Sequence, residues 1–545
     1  MKVLVSSVFF FIGISIFAQK STSISKPKLV VGIVIDQMRY DYLTRFDHRF
    51  GKNGFKKLQR EGYNCKNHNY NYIPTYTGPG HASIFTGTTP QNHGIVSNYW
   101  YDKFEKKEVY CAGDSTVTTL GTTSLDERMS PRRMLSTTFA DANKLNTQFK
   151  GKTIGISIKD RGAILPAGHT ADAAYWFRGR EEGAWVSTNY YQEKLPKWVV
   201  KYNAKKIPET YLKEWNTLYP IDSYLESGID SNNYERGFKG KETATFPYDL
   251  KKLAPENSGY DILKYSPYGN SLVTDFALEA LKNELLGKDE ITDVLTISYS
   301  STDYAGHNFG ANSKEIEDVY LRLDLELAKL LEALDAQVGK ENYSLFLTAD
   351  HGAVHVPQYL IDHKIPAFYF DEDTLKKNLN DFLLETYKKE NLIENISNQQ
   401  IYLNYPNLDS LKISAIKISE KIAWFIRQQK HVQYVYTRDQ LQGADIGNQI
   451  GKYLQNGFHQ RLSGDIAYIL NPATIAYPTK GSQHGSPQSY DTHVPLLFYG
   501  KGIKHGSTFT KTKVIDIAPT ICALLNIESP NASTGDILDF VFIRN

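Results

Sequence analysis

The stretch Leu29-Val30-Val31-Gly32-Ile33-Val34-Ile35-Asp36 is an apolar, largely β-branched run that ends abruptly in a carboxylate. Two later runs have the same form, since residues 294–299 lead into Asp303 and residues 345–349 lead into Asp350. Continuous apolar runs are typical of central strands in a parallel sheet that helices cover on both faces. The sequence therefore predicts an α/β fold around a mostly parallel central sheet.

The ends of these three runs are expected to meet, because ligands of parallel sheets bind beyond the carboxyl ends of the strands. Three histidines lie close to the acids or to glycines in the sequence: His307 in Asp303-Tyr304-Ala305-Gly306-His307, His351 after Asp350, and His484 in Gly481-Ser482-Gln483-His484-Gly485-Ser486. Carboxylate and imidazole ligands together suit zinc, and six such residues can serve two ions. Each short motif alone is weak, and only the combination predicts a metal site.

A candidate nucleophile lies in Pro74-Thr75-Tyr76-Thr77-Gly78-Pro79-Gly80-His81-Ala82-Ser83-Ile84-Phe85, which predicts a tight turn leading into a helix. A hydroxyl at a helix start lies where backbone N–H groups and the helix dipole favour negative charge. Thr77 could therefore hold a stabilised alkoxide next to a phosphate. From this segment alone, a plain N-cap role for Thr77 is the simpler interpretation.

The remaining chain predicts a helical scaffold with two interruptions. Residues 313–334 carry apolar side chains at a 3.6-residue period and begin near Asn312 or Ser313, either of which can cap a helix. Residues from about 170 to 285 and from about 370 to 475 break the alternation of strands and helices. We expect both to be insertions in the catalytic domain that form a cap.

Composition excludes some classes of function. The chain has 62 basic and 60 acidic residues, a net charge of +2, so it lacks the basic excess of nucleic-acid-binding proteins. Three cysteines, Cys65, Cys111 and Cys522, leave at least one thiol without a disulfide partner in the chain. A Cys65–Cys111 disulfide stays open as an alternative in an exported protein.

The N-terminus has the pattern of a signal peptide. Met1-Lys2 precedes an apolar stretch at residues 3–17, and Ala18-Gln19-Lys20 follows it. We expect residues 1–18 to be removed and residues 19–545 to form the catalytic domain. A membrane anchor is the alternative, but the stretch is short and contains serines. The expected product is a monomeric periplasmic or secreted protein without stable membrane insertion.

The combined motifs resemble the alkaline phosphatase superfamily. Thr75-Tyr76-Thr77-Gly78-Pro79-Gly80-His81, Lys159-Asp160-Arg161 and Ser301-Thr302-Asp303-Tyr304-Ala305-Gly306-His307-Asn308-Phe309-Gly310 resemble the single-chain, phosphate-irrepressible alkaline phosphatases of bacteria. The resemblance runs from about residue 28 to about residue 538. It implies an alkaline-phosphatase-like α/β fold and hydrolysis of phosphate monoesters through a covalent phosphothreonine, with broad-specificity release of inorganic phosphate.

The resemblance also implies a role for each site residue. One Zn²⁺ would be held by Asp303, His307 and His484, and the other by Asp36, Asp350, His351 and the nucleophile Thr77. Lys159, Arg161 and Asn98 would bind the non-bridging phosphoryl oxygens, whereas His81, His93 and His169 would be structural.

The nearest alternative is a phosphodiesterase or nucleotide pyrophosphatase on the same fold. Lys159 and Arg161 favour the monoesterase, because a diester carries less charge for two cations to bind. We expect Lys159-Asp160-Arg161 to be extended, so that both cations point to one side. A sulfatase is disfavoured because no cysteine has the required Cys-x-Pro-x-Arg setting, and a non-catalytic zinc protein is disfavoured by the presence of the nucleophile.

Overall fold

A ten-stranded sheet forms the centre of the molecule in the computed structural model, which describes residues 26–443 and 445–543. The signal peptide predicted at residues 1–18 lies outside the described residues. Within them, no helix is both long enough and apolar enough to cross a bilayer.

The two largest sheets have ten and four strands. Their strands are β1 (Leu29–Ile35), β2 (Tyr63–Cys65), β3 (Thr119–Leu120), β4 (Thr153–Ser157), β5 (Ala173–Arg178), β6 (Ala184–Thr188), β7 (Asp293–Tyr299), β8 (Tyr343–Thr348), β9 (Ile393–Ser397), β10 (Gln400–Leu403), β11 (Val432–Thr437), β12 (Ile466–Leu470), β13 (Leu496–Gly500) and β14 (Gly506–Thr508). Smaller sheets join Tyr99–Asp102 with Lys107–Tyr110, Glu214–Trp215 with Tyr248–Asp249, Phe368–Tyr369 with Thr474–Ile475, and His68–Asn69 with His493–Val494 and Thr512–Lys513.

The order of the central sheet is β14-β2-β13-β8-β1-β7-β4-β5-β6-β3. Its middle strands β8, β1, β7, β4 and β5 are all parallel, whereas β13 and β6 pair antiparallel on either side of them. The prediction of a mostly parallel centre is confirmed. The three apolar runs that predicted it are β1, β7 and β8, which are direct neighbours.

The longer helices are α1 (Thr77–Thr86), α2 (Phe139–Asn146), α3 (Asp160–Ala167), α4 (Lys197–Ala204), α5 (Pro267–Asn283), α6 (Ser301–Phe309), α7 (Lys314–Gln337), α8 (Glu372–Tyr387), α9 (Ala415–Arg427), α10 (Gln449–Gly457) and α11 (Ile517–Leu525). Shorter α-helices span Tyr42–Arg45, Phe55–Glu61, Pro90–His93, Ile207–Tyr211, Leu250–Leu253, Pro357–Asp362, Tyr405–Ser410, Arg438–Gly443 and Ser489–Thr492.

Two groups of helices cover the central sheet. Helices α1, α2, α3 and α11 pack together on one side, and α5, α6 and α7 pack together on the other. Helix α7 is the amphipathic helix predicted from residues 313–334, and the Ser313 hydroxyl caps it by accepting a hydrogen bond from the Ile316 N–H. Its apolar stripe, from Ile316 to Leu334, is buried in the main core.

The two expected insertions differ from each other. Residues 170–285 are not wholly an insertion, because they supply β5 and β6 to the central sheet and α5 to one of its helix layers. Residues 370–475, hereafter the second lobe, contain the separate sheet β9-β10-β12-β11 with α8 and α9. A hydrophobic core of its own, including Leu379, Ile422 and Ile466, holds this lobe together.

All three cysteines are buried free thiols in this structure. Burial raises the pKa of Cys65, Cys111 and Cys522 to about 12 in each case, so the thiolate form is disfavoured. The Cys65–Cys111 disulfide left open by the sequence is not formed.

Candidate active site

Three carboxylates meet beyond the ends of the central strands. Asp36 directly follows β1, Asp303 lies in the first turn of α6 after β7, and Asp350 lies just beyond β8. Because β1 pairs in parallel with both β7 and β8, the three strand ends are adjacent. Each of these acids is at most 3% exposed. The sequence correctly predicted that they would converge.

Three histidines face these acids with the same orientation. In each histidine, Nδ1 lies close to a backbone carbonyl oxygen. The distance is 2.8 Å from His307 to Ser482, 2.9 Å from His351 to Gly352, and 2.7 Å from His484 to Thr75. A carbonyl oxygen accepts a hydrogen bond from Nδ1–H and so selects the tautomer whose Nε2 carries a lone pair. Each imidazole thus presents Nε2 as a possible metal ligand.

The Nε2 atoms lie near the carboxylates in two groups. In the first, Asp303 Oδ1 is 3.2 Å from His307 Nε2 and 3.6 Å from His484 Nε2. In the second, His351 Nε2 is 3.5 Å from Asp36 Oδ1 and 3.6 Å from Asp350 Oδ2. The His351 and His484 rings stack with centroids 3.5 Å apart, so the two groups lie next to each other.

The donor set fits divalent cations. Asp36 Oδ1, Asp350 Oδ2 and His351 Nε2 are buried and have no hydrogen-bond partner among the described residues. Burial lowers the pKa of His351 to about 3, and burial followed by the nearby Asp36 raises the pKa of Asp350 well above its ordinary value. Buried acids beside the neutral imidazole of His351 need a compensating positive charge. Two sets of three residues have possible ligand atoms that all lie within 4.8 Å of one another. One set is Asp303, His351 and His484, and the other is Asp36, Asp350 and His351.

Gln37 links the two groups, and sequence reasoning missed it. Its side-chain amide donates a hydrogen bond of 2.7 Å to Asp303 Oδ1, and its backbone N–H donates one of 3.1 Å to Asp350 Oδ1. The backbone turns there with φ of 64°. A Cβ at Gly306 would lie 1.8 Å from Gln37 Oε1, so only glycine leaves room for this side chain. The one signal in the sequence was its position directly after Asp36.

Thr77 is the first residue of α1, and Tyr76 occupies the N-cap in an extended conformation. The simpler interpretation of Thr77 as an N-cap residue is therefore wrong. The start of α1 lies against Asp350, since a Cβ at Gly80 would be 2.5 Å from the Asp350 carbonyl oxygen. Nδ1 of His81 is 3.3 Å from Asp350 Oδ2. The hydroxyl-bearing helix start and the acids thus form one site.

Asn98 and Lys159 contact different parts of this site. Asn98 Oδ1 accepts a hydrogen bond of 2.7 Å from the Gly78 N–H. The Lys159 ammonium lies between two acids, 2.7 Å from Asp36 Oδ2 and 2.5 Å from Asp303 Oδ2. Burial opposes the charge of Lys159, but Asp303 and Asp36 outweigh it and raise the pKa of the amine.

The expectation of an extended Lys159-Asp160-Arg161 segment is wrong. Lys159 is extended and forms the N-cap, but α3 begins at Asp160, so Arg161 lies in the first turn of a helix. The Arg161 guanidinium donates a hydrogen bond of 3.1 Å to the Tyr110 hydroxyl, which in turn donates to Asp160. Tyr110, a contact that sequence reasoning missed, therefore orients Arg161.

The histidines expected to be structural all have protein partners outside the two groups. His81 Nε2 lies 2.9 Å from Ser298 Oγ, and His93 Nε2 lies 2.9 Å from Ser83 Oγ. His169 Nε2 lies 3.2 Å from the Ser136 carbonyl oxygen. His81 also approaches two candidate ligands, since its Nδ1 lies 2.9 Å from the Thr77 carbonyl oxygen and 3.3 Å from Asp350 Oδ2.

Comparison with known proteins assigns the family. Residues 30–494 match the family described as type I phosphodiesterase/nucleotide pyrophosphatase. The chain belongs to this family. The alkaline phosphatase superfamily predicted from the motifs is thereby confirmed.

This member of the type I phosphodiesterase/nucleotide pyrophosphatase family is similar to known relatives along nearly its whole length. It is 43% identical over 520 residues to a Myroides odoratus protein named calcium-transporting ATPase, covering 94% of each chain. It is 42% identical over 522 residues to alkaline phosphatase PafA of Elizabethkingia meningoseptica, covering 95% of each chain. A crystal structure of wild-type PafA is similar with a TM-score of 0.92 and 41% identity, covering 96% of this chain and 100% of that one. The predicted alkaline-phosphatase-like fold is confirmed.

Proposed function

We propose that this protein is an alkaline phosphatase that hydrolyses phosphate monoesters at a two-zinc site with Thr77 as nucleophile. The observation that carries the proposal is the orientation of three Nε2 atoms toward three buried carboxylates beside the start of α1. Near-complete similarity to an alkaline phosphatase supports the same function. ATP hydrolysis, named for the Myroides relative, is also phosphoryl transfer to water.

Two groups of ligands would hold the ions: Asp303, His307 and His484 for one, and Asp36, Asp350, His351 and Thr77 for the other. When bound, zinc lowers the pKa of a coordinated hydroxyl and neutralises charge on the attacking and leaving oxygens. Carbonyl contacts at Nδ1 and the amide of Gln37 would keep the ligand atoms in place.

Thr77 would carry the covalent step. Its hydroxyl loses a proton to solvent, Oγ1 forms a bond to phosphorus, and the bond from phosphorus to the alcohol oxygen breaks. The departing alkoxide takes a proton from water. A second water then displaces Oγ1, which releases inorganic phosphate and restores the hydroxyl. The N–H groups at the start of α1 favour the negative charge present throughout.

Lys159, Arg161 and Asn98 would bind the non-bridging oxygens of the transferred group. A monoester presents three such oxygens and close to two charges, whereas a diester presents two oxygens and one charge. Fixed cationic donors therefore stabilise transfer from a monoester more strongly.

The test compares kcat/KM for 4-nitrophenyl phosphate and methyl 4-nitrophenyl phosphate, which share one leaving group. We expect the monoester to be preferred by orders of magnitude. A preference for the diester would replace this proposal with the phosphodiesterase alternative.

We further propose broad-specificity release of phosphate by a monomer in the periplasm or outside the cell, with no nucleic-acid partner. The location rests on the sequence pattern of residues 1–18, and the absence of a nucleic-acid partner rests on the net charge of +2.

A further inference from the structure

A polar cavity of about 190 Å³ lies beside the candidate active site, between the catalytic core and the second lobe. Tyr76 and His484 line it from the core, and Glu372, Asn398 and Gln399 line it from the second lobe. Its volume is below the roughly 300–1,000 Å³ of typical drug-sized ligand sites, so it suits a small group.

Two carboxyl groups line the cavity. Asp491 is 1% exposed, lines the cavity and has Oδ1 without a hydrogen-bond partner among the described residues. Glu372, at the first position of α8, adds a second carboxyl group. None of the described residues that line the cavity is a lysine or arginine. The nearby Arg39 is paired with Asp41 at 2.7 Å.

The cavity adjoins the proposed site. His484 is a proposed metal ligand, whereas the proposed phosphoryl contacts Asn98, Lys159 and Arg161 do not line the cavity. The alcohol portion is therefore the part of the substrate that this cavity can hold. Tyr76 directly precedes Thr77 and meets the His484 ring edge-on, with centroids 5.5 Å apart. An aromatic ring together with a carboxylate favours a cationic group.

The side of the cavity that the second lobe forms is hydrogen-bonded to the catalytic core. Asn398 and Gln399 form the turn between β9 and β10, with φ of 52° and 57°. The Asn398 side-chain amide donates a hydrogen bond of 2.7 Å to the carbonyl oxygen of Tyr99, the residue after Asn98. Because this bond joins the turn to the segment that carries a proposed phosphate contact, the cavity keeps its place relative to the phosphate.

We propose that this cavity binds the alcohol portion of the substrate and that Glu372 makes it select leaving groups carrying an ammonium group. This inference rests on the proposed function. It follows that amino-alcohol phosphates are preferred to neutral esters of the same shape. Leaving groups that bear a second phosphate are disfavoured, because they bring negative charge to two carboxylates.

The test uses two esters that differ only in charge: phosphocholine, with a trimethylammonium group, and 3,3-dimethylbutyl phosphate, with a tert-butyl group. The wild-type protein should show a higher kcat/KM for phosphocholine. Glu372→Gln keeps the shape of the side chain and should lower the phosphocholine-to-dimethylbutyl ratio roughly fivefold, as expected for one partly exposed ion pair. Assays are run at about pH 8.5, because burial raises the pKa of Glu372 and alkaline conditions favour its carboxylate form.

Glu385→Gln is the matched control, since Glu385 is an exposed residue of the same helix, α8. It should leave the ratio unchanged. A wild-type ratio near one, or a ratio that Glu372→Gln does not lower, overturns the inference. If both esters are hydrolysed in that case, the proposed phosphatase function still stands, whereas hydrolysis of neither ester contradicts both proposals.

Discussion

The side-chain amide nitrogen of Gln37 lies 2.7 Å from Oδ1 of Asp303 and donates a hydrogen bond to it. The Gln37 backbone N–H also holds Asp350, so one residue orients an acid in each proposed zinc group. Groups that orient metal ligands typically change metal affinity about 10- to 100-fold when removed. Gln37→Ala should therefore weaken zinc binding by that factor in competition with a chelator. Gln358→Ala is the control, because the Gln358 side-chain amide donates its hydrogen bond to the exposed surface residue Asp362. Equal affinity in both variants would refute the orienting role.

The metal content follows from the donor set. Purified protein should contain about two zinc ions per chain, as two-metal phosphoryl-transfer sites do. Chelation should abolish hydrolysis of 4-nitrophenyl phosphate, and added zinc should restore it. Full activity in a preparation verified as metal-free by elemental analysis would rule out the assignment.

The position of Thr77 at the first residue of α1 predicts a trapped intermediate. Thr77→Ala should remove most turnover while the protein still binds zinc, whereas Thr77→Ser should keep substantial activity because it retains a hydroxyl. Acid quenching during turnover should leave phosphate on the peptide that contains Thr77, as detected by mass spectrometry. Phosphate on Thr75 instead would show that the wrong threonine was assigned.

Arg161 should distinguish monoesters from diesters. Arg161→Ala should lower kcat/KM for 4-nitrophenyl phosphate on the order of a hundredfold, and that for the methyl diester far less, because the diester offers less charge. Arg180→Ala is the control, since that side chain is 52% exposed. Lys159→Ala should show the same selectivity and also affect zinc binding, because Lys159 contacts Asp36 and Asp303. Equal losses for both substrates would indicate general damage to the site.

Glu315 should give the stability of the protein a distinct pH dependence. Burial raises its pKa to about 8, although the Tyr248 hydroxyl donates a hydrogen bond of 2.5 Å to it. The folded state therefore keeps a proton that the unfolded state loses above about pH 4.3. Stability from this group is full below that pH and declines as pH rises toward 8. Glu315→Gln should make Tm fall less steeply with pH over this range. Glu385→Gln is the control and should leave the fall of Tm unchanged. An equally steep fall of Tm in both variants would contradict the assignment.

The sequence predicted the parts of the fold that depend on local pattern. The apolar runs at β1, β7 and β8 identified the central strands, and the 3.6-residue period identified α7. Because the ends of adjacent parallel strands must meet, the convergence of Asp36, Asp303 and Asp350 also followed from the sequence. These inferences needed no knowledge of distant contacts.

Features that depend on tertiary contacts could not be predicted in this way. Gln37 bonds to a residue 266 positions away, and the space for it exists only because Gly306 lacks a side chain. Arg161 meets Tyr110 across 51 positions. The extended form expected for residues 159–161 was wrong because Lys159 is the N-cap of α3 and the helix begins at Asp160, which an alternation rule does not anticipate.

The second lobe has a hydrophobic core of its own, yet Glu372, the Asn398–Gln399 turn and residues 474–475 line the cavity proposed to bind the alcohol portion of the substrate. A gene encoding this chain can therefore accumulate changes in the lobe that alter substrate choice without touching a metal ligand. Divergence within such a lineage would then be concentrated at the lobe surface facing His484, and the strand ends that bear the acids would be under separate selection. Recombination that exchanges this lobe between relatives would transfer leaving-group preference while the hydrolytic machinery stays with the recipient.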